Sequence, residues 1–229
     1  MGDIPHPDIS LFLASSVHDM KNSISVLIGS LQEMMSTASP ETSKNYQKMA
    51  HMLYETQRIN GNLIQLLTLY KFGNNLYPFT PDTVEIDEFA AEAQSHVGIL
   101  LNSKHIVFEI DSAPGLYGEF DQELVAGVIV HALNNAAHYT KDRIRLVILE
   151  ADGGLEFRVE DNGSGYPQRM IDEGVAAMSG INYSTGSTGL GLYFSAAVAL
   201  MHRNGERRGS VRLENGGAWG GGCFVLRLP

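Results

Sequence analysis

Met49, Met52, Thr56, Ile59, Leu63, Leu66 and Tyr70 follow one another at intervals of 3, 4, 3, 4, 3 and 4 residues. That is an unbroken heptad seam, the mark of a helix that packs against other helices along its length. An earlier stretch has the same character. Ile9, Leu13, Ser16, Met20, Ile24, Leu27, Leu31 and Met34 stand at intervals of 4, 3, 4, 4, 3, 4 and 3. The repeated 4 is a slip in register around Met20. Ser39-Pro40-Glu41 makes the turn between the two helices, and Pro40 is well placed to open the second. Such a hairpin has one apolar stripe and little to bury it against. A homodimer forming a four-helix bundle removes that exposure. Packing on the chain's own C-terminal half is the alternative.

The sequence changes character near residue 73. Phe72-Gly73-Asn74-Asn75, then Pro78 and Pro81, break a helix and read as a linker. The expected organisation is a hairpin over 1–72, a linker over 73–82 and a second domain over 83–229. In that domain, 84–86 reads as a short strand and 87–101 as a helix with Asp87 at its N-cap. Residues 106–110 alternate like a strand, and 121–139 are helical. Strands at 143–149 and 155–160 flank Asp152-Gly153-Gly154, a hairpin signal. Residues 164–188 are glycine-rich and read as a long mobile loop, 190–202 as a helix, 211–213 and 224–228 as closing strands. The fold class is α+β, with helices on one face of a mixed sheet.

Of the 229 residues, 44% are hydrophobic and 18% charged, which suits a globular chain. No stretch approaches the roughly 20 apolar residues of a membrane-spanning helix, and no basic, apolar leader opens the chain. One cysteine, Cys223, excludes a disulfide framework within one chain and points to the cytoplasm. A net charge of −10 argues against an electrostatic grip on nucleic acid or anionic lipid. A nucleotide needs only a local pocket.

The P-loop, Rossmann and H-E-x-x-H signatures are absent from the sequence. Three other clusters carry chemistry. Asp161-Asn162-Gly163-Ser164-Gly165 follows a strand. A carboxylate there can accept from the amino group of a purine, and Gly163 and Gly165 let backbone approach a flat base. Gly186-Ser187-Thr188-Gly189-Leu190-Gly191-Leu192 opens a helix, whose free first-turn amides suit phosphate. The stretch from His131 through Asn135 to His138 and Tyr139 ends a helix. Asn135 offers a neutral oxygen suited to Mg²⁺, a cation that takes few protein ligands, and His131 lies one turn earlier on the same face.

The order of these clusters within about 60 residues resembles the ATP-binding fold (GHKL) shared by sensor histidine kinases, Hsp90, gyrase and MutL. The Asn135 region is similar to the N box, 161–165 to the first glycine box and 189–192 to the second. Ser16-Val17-His18-Asp19-Met20-Lys21-Asn22 resembles the H box of histidine kinases, and His18 lies off the apolar stripe. Three positions depart from the family pattern. Ser23 stands where a proline is usual and His138 where a Lys or Arg is usual, and Tyr183 is the nearest aromatic to a Phe box.

The resemblance implies ATP and Mg²⁺, with autophosphorylation of His18 assisted by Asp19. It implies nucleotide contacts from His131, Asn135, His138, Tyr139, Asp161, Gly163, Gly165, Gly186, Thr188, Gly189, Leu190, Gly191 and Leu192, with Asn135 on the metal. The implied partners are a second copy of the chain and a response-regulator receiver domain, with a separate sensor protein as one source of input. The Asp19-x-x-Asn22 spacing matches a motif for dephosphorylating the regulator. The competing reading is an adaptor, a histidine phosphotransferase or pseudokinase without efficient ATP turnover. An Hsp90- or MutL-like ATPase is a third, opposed by the hairpin that precedes the ATP-binding part.

Overall fold

The structure, a computed structural model, describes residues 9–36, 44–174 and 189–229. The turn predicted at 39–41 and residues 175–188, with Tyr183, Gly186 and Thr188, lie outside the described residues. The chain separates into two compact units, Met1–Tyr77 and Pro78–Pro229. No helix among the described residues is long and apolar enough to cross a membrane.

The first unit is built on two long helices, α1 (Ile9–Ser36) and α2 (Lys44–Gly73), packed on one another. α1 runs unbroken past Ser23, whose hydroxyl donates to the Asp19 carbonyl at 3.1 Å, a back-bond that helices tolerate. The less exposed residues of α1 are Ser16 with Val17, then Lys21, Ile24, Ile28, Leu31 and Met35, which from Val17 on stand at intervals of 4, 3, 4, 3 and 4. This seam keeps Ser16, Ile24 and Leu31 of the predicted one and replaces Met20, Leu27 and Met34 by the residue after each. Met20, Leu27 and Met34 are 52%, 57% and 56% exposed, and Met52, Ile59 and Leu66 of α2 are 55%, 48% and 46% exposed. The predicted stripe is wider than one helix contact. Each helix buries one edge of it in the hairpin and leaves the other about half exposed at intervals of seven. The side chains of Ile9 and Leu13 lie outside the described set.

In the second unit a five-stranded sheet runs in the order β2 (Val107–Ser112), β4 (Arg143–Ala151), β5 (Gly154–Asp161), β9 (Gly221–Leu228), β8 (Ser210–Gly216). β2 lies parallel to β4 and the other pairs are antiparallel, so the sheet is mixed. Alternation along the strands sends Leu146, Ile148, Phe157, Val159, Phe224 and Leu226 to one buried face. The long helices α3 (Ile86–Ser103), α4 (Gln122–Tyr139) and α6 (Leu190–Met201) pack against the sheet. Phe89, Phe120 and Phe157 meet edge-on with centroids 5.4–5.8 Å apart at the centre of this core. The opposite face is a ladder of charges. Arg158 pairs with Glu156 at 3.0 Å and Glu160 at 3.1 Å, and Arg227 also bonds Glu156. Burial alone would raise the Glu156 carboxyl, but the Arg158 and Arg227 guanidiniums hold it below its ordinary value.

Several elements differ from the sequence reading. α3 starts at Ile86 with Glu85 at the N-cap, because β1 (Asp82–Glu85) passes straight into it. Asp87 falls in the first turn instead and accepts from the Ser112 hydroxyl at 2.9 Å. β3 (Tyr117–Phe120), which pairs with β1, and the two-residue strands β6 (Arg203–Asn204) and β7 (Arg207–Arg208) are too short to give a period. A short helix, α5 (Gln168–Glu173), interrupts the predicted loop.

Candidate nucleotide site

α4 begins where the Asp121 side chain accepts from the Leu124 amide at 3.1 Å, an ordinary N-cap. Eighteen residues later it delivers the His131–Tyr139 segment to the edge of β5. There one side chain joins two of the predicted clusters. Asn162 Oδ1 accepts from the Thr140 hydroxyl (2.8 Å) and from the amides of Lys141 (3.2 Å), Asp142 (3.1 Å) and Arg143 (3.2 Å). Its Nδ2 donates to Asp142 at 2.7 Å. Next to it, a Cβ on Gly163 would collide with the Tyr139 carbonyl, so only glycine lets the two segments meet.

Asp161 ends β5 and is buried at 6% exposure. Its Oδ1 accepts from the Gly163 amide at 2.6 Å and the Gly222 amide at 3.2 Å. Those two bonds fix the carboxylate and leave Oδ2 to a further donor. A Cβ on Gly222 would stand 2.9 Å from that Oδ2 and 3.1 Å from the Tyr166 ring. Asn215 clamps the backbone of Tyr166, accepting from its amide at 2.7 Å and donating to its carbonyl at 2.9 Å. Burial, with Asp161 beside it, pushes the Tyr166 phenol well above its ordinary pKa. Gly165 takes φ +77° to make this turn.

At the start of α6, Gly189 sits at the N-cap with φ +63° and, among the described residues, no side chain caps the helix. The first-turn amides of Leu190, Gly191 and Leu192 therefore have no intrahelical partner, the condition for holding an anion. The imidazole of His131 lies against Gly191, where any Cβ would overlap it. His131 Nε2 is 2.9 Å from Nδ2 of Asn135. Burial pushes the His131 pKa down to about 4, so the ring is neutral near pH 7. Asn135 is exposed, and with its Nδ2 engaged its Oδ1 is available. A single neutral oxygen beside an anion site fits Mg²⁺, which keeps most of its waters and shares phosphate oxygens. No group of three or more His, Cys, Asp or Glu that could hold a metal occurs among the described residues.

His131, Asn135, Tyr139, Asp161, Gly163, Gly165 and Gly189–Leu192 thus belong to one region of the second unit. His138 and Tyr139 are both exposed, their rings edge-on with centroids 4.8 Å apart. Gly186 and Thr188 lie outside the described residues. Asn162, Tyr166, Asn215 and Gly222 were not singled out by the sequence reading. The Gly220-Gly221-Gly222 run was the available signal for the last. In the first unit, His18, Asp19 and Asn22 are all exposed on α1.

Residues 120–229 match the family model described as histidine kinase-, DNA gyrase B-, and HSP90-like ATPase. The sensor histidine kinase TmoS of Ectopseudomonas mendocina is 23% identical over 226 residues, covering 95% of this chain and 22% of that protein. The signal transduction histidine-protein kinase AfsQ2 of Streptomyces coelicolor is 27% identical over 180 residues, covering 76% of this chain and 31% of that protein. The chain thus spans less than a third of either relative's length. Among solved structures, full-length ShkA in complex with AMPPNP superposes with a TM-score of 0.61 at 17% identity, over 95% of this chain and 45% of that one. The catalytic domain of ThkA gives 0.53 at 18% identity, over 66% of this chain and 96% of that one. These likenesses are of fold.

Proposed function

We propose that this chain, a sensor histidine kinase catalytic core whose residues 120–229 belong to the histidine kinase-, DNA gyrase B- and HSP90-like ATPases, phosphorylates itself on His18 and passes the group to an aspartate of a response-regulator receiver domain. One observation carries the reading. Asp161, with one oxygen saturated by the Gly163 and Gly222 amides, adjoins the same α4 segment whose Asn135 is tied to the glycine-opened start of α6. A purine amino group, a cation and a phosphate chain match the three in turn.

Asp161 Oδ2 accepts from the exocyclic amine of adenine. The first-turn amides of α6 hold phosphate oxygens. Mg²⁺, when bound on Asn135, supplies positive charge to the phosphates. One ring nitrogen of His18 attacks the γ-phosphorus as its bond to the bridging oxygen breaks and ADP leaves. Asp19 accepts the N–H of the other ring nitrogen and steadies the developing imidazolium. Asn22, one turn on, orients water when the regulator is dephosphorylated. The exposed edges of α1 and α2 support a homodimeric four-helix bundle, since Met20, Leu27, Met52, Ile59 and Leu66 are about half exposed along one hairpin.

The test is incubation with γ-labelled ATP and Mg²⁺, comparing the wild type with His18→Gln. Acid-labile, base-stable label that disappears in His18→Gln is the expected result. Label that persists in the variant refutes His18 as acceptor. One observation favours an adaptor instead. The exposed His138 replaces the permanent cation usual at that place. Absence of label, together with nucleotide binding that Asp161→Asn abolishes, would establish that reading.

A further inference from the structure

Asn135 can serve a cation only if its amide faces the right way, and a free amide rotates. Its Nδ2 can only donate, and it stands 2.9 Å from His131 Nε2. Donation there requires Nε2 to be bare and the ring proton to sit on Nδ1. The amide then cannot turn without losing this bond, and Oδ1 is held on the exposed side. The ring is itself held. It fills the space where a side chain on Gly191 would begin, so it spans α4 and the first turn of α6. A helix residue one turn before the metal-facing amide thereby sets that amide against the amides that would bind phosphate.

We infer that His131 is a positioning residue. Its Nδ1-protonated imidazole, wedged against Gly191, fixes Asn135 with the carbonyl oxygen presented to the nucleotide's metal ion. This rests on the nucleotide-site reading above. It accounts for glycine at 191 by ring packing, in addition to any close approach of phosphate. It also assigns His131 an indirect part in nucleotide binding, through Asn135.

Two measurements on the full chain test it. The first needs no ligand. The ¹⁵N resonances of the His131 ring at neutral pH should show Nδ1 protonated and Nε2 bare, and a proton on Nε2 would overturn the inference. The second is the affinity for ADP with Mg²⁺ divided by that with EDTA. Partners that orient a metal ligand are typically worth 10–100-fold in metal affinity, so His131→Phe should cut this ratio roughly tenfold or more. His131→Gln, which keeps an acceptor, should recover much of it. A merely structural role would lower affinity equally in Mg²⁺ and EDTA and leave the ratio unmoved, which would also overturn the inference. A wild type that binds ADP with an unaltered ratio in His131→Phe defeats only this inference. A wild type that binds no adenine nucleotide defeats the nucleotide-site reading itself.

Discussion

Asn162 is the residue on which the junction between α4 and β5 turns, and replacing it by alanine isolates its worth. Five hydrogen bonds involve its side chain, four of them on one oxygen. They cannot be summed. An amide oxygen has two lone pairs, so four donors share what two good bonds supply. The Thr140 hydroxyl has one proton and two acceptors, Asn162 Oδ1 at 2.8 Å and the Arg143 carbonyl at 2.7 Å, so it serves only one at a time. The 141–143 turn is exposed, so water replaces part of the loss. Two acceptor bonds and one donor bond at about 1 kcal/mol each give a cost near 2–3 kcal/mol for Asn162→Ala. In a domain of this size 1 kcal/mol moves the midpoint by about 2–4 °C, so the melt of the Pro78–Pro229 unit should fall by about 5–10 °C. Calorimetry on the full chain reads this directly. ADP affinity should fall as well, because Asp161 and Gly163 flank the altered residue. A midpoint within about 1 °C of wild type would show that water fully replaces the amide, and the junction argument would be wrong.

His202 gives a pH prediction. It is buried, donates from Nδ1 to the Val198 carbonyl at 2.8 Å and accepts the Asp121 amide on Nε2 at 3.0 Å. Burial lowers its pKa, partly opposed by the Val198 carbonyl and Asp121. The unfolded chain therefore binds the proton first. The contribution is full above the unfolded pKa of about 6.5 and is lost below it, at up to about 1.4 kcal/mol per pH unit. His202→Gln should flatten the fall in melting temperature from pH 7 to pH 5, and an unchanged slope would clear His202 of the effect. In the hairpin, burying one large aliphatic side chain is worth about 1.5–3 kcal/mol. Ile59→Glu with Leu66→Glu should convert a wild-type dimer to monomer by light scattering, and a monomeric wild type would sink the bundle. Gln65 is 4% exposed and its Oε1 has no hydrogen-bond partner among the described residues, at a cost of about 1–3 kcal/mol. Gln65→Leu should raise the hairpin's melting temperature. A lower one would mean a second chain supplies the missing donor.

The elements that carry the site were legible where a period or a punctuation mark spans enough residues. The two hairpin helices, helix α4, the Asp152-Gly153-Gly154 hairpin and the Gly189 start of α6 are all local signals. The partial shift of the α1 seam was not legible, because a stripe that serves two contacts looks the same from either. The N-cap at Glu85 was missed because Asp87 is the better capping residue. It loses that place to a strand that leads directly into the helix.

The sequence by itself determined which residue types stand ready: a carboxylate at a strand end, glycines before a helix, an asparagine one turn after a histidine, and an exposed His18. Those are properties of neighbours along the chain. Only the tertiary structure decided what each one touches. Gly222 reaches Asp161 from β9, 61 residues away, Asn215 reaches Tyr166 from β8, and Asn162 ties the end of α4 to β5. Gly191 leaves room for His131 from the first turn of α6. Such contacts depend on sheet order and on how closely two backbones approach. Neither leaves a periodic trace in the amino-acid sequence, because each is fixed by packing between segments far apart in it.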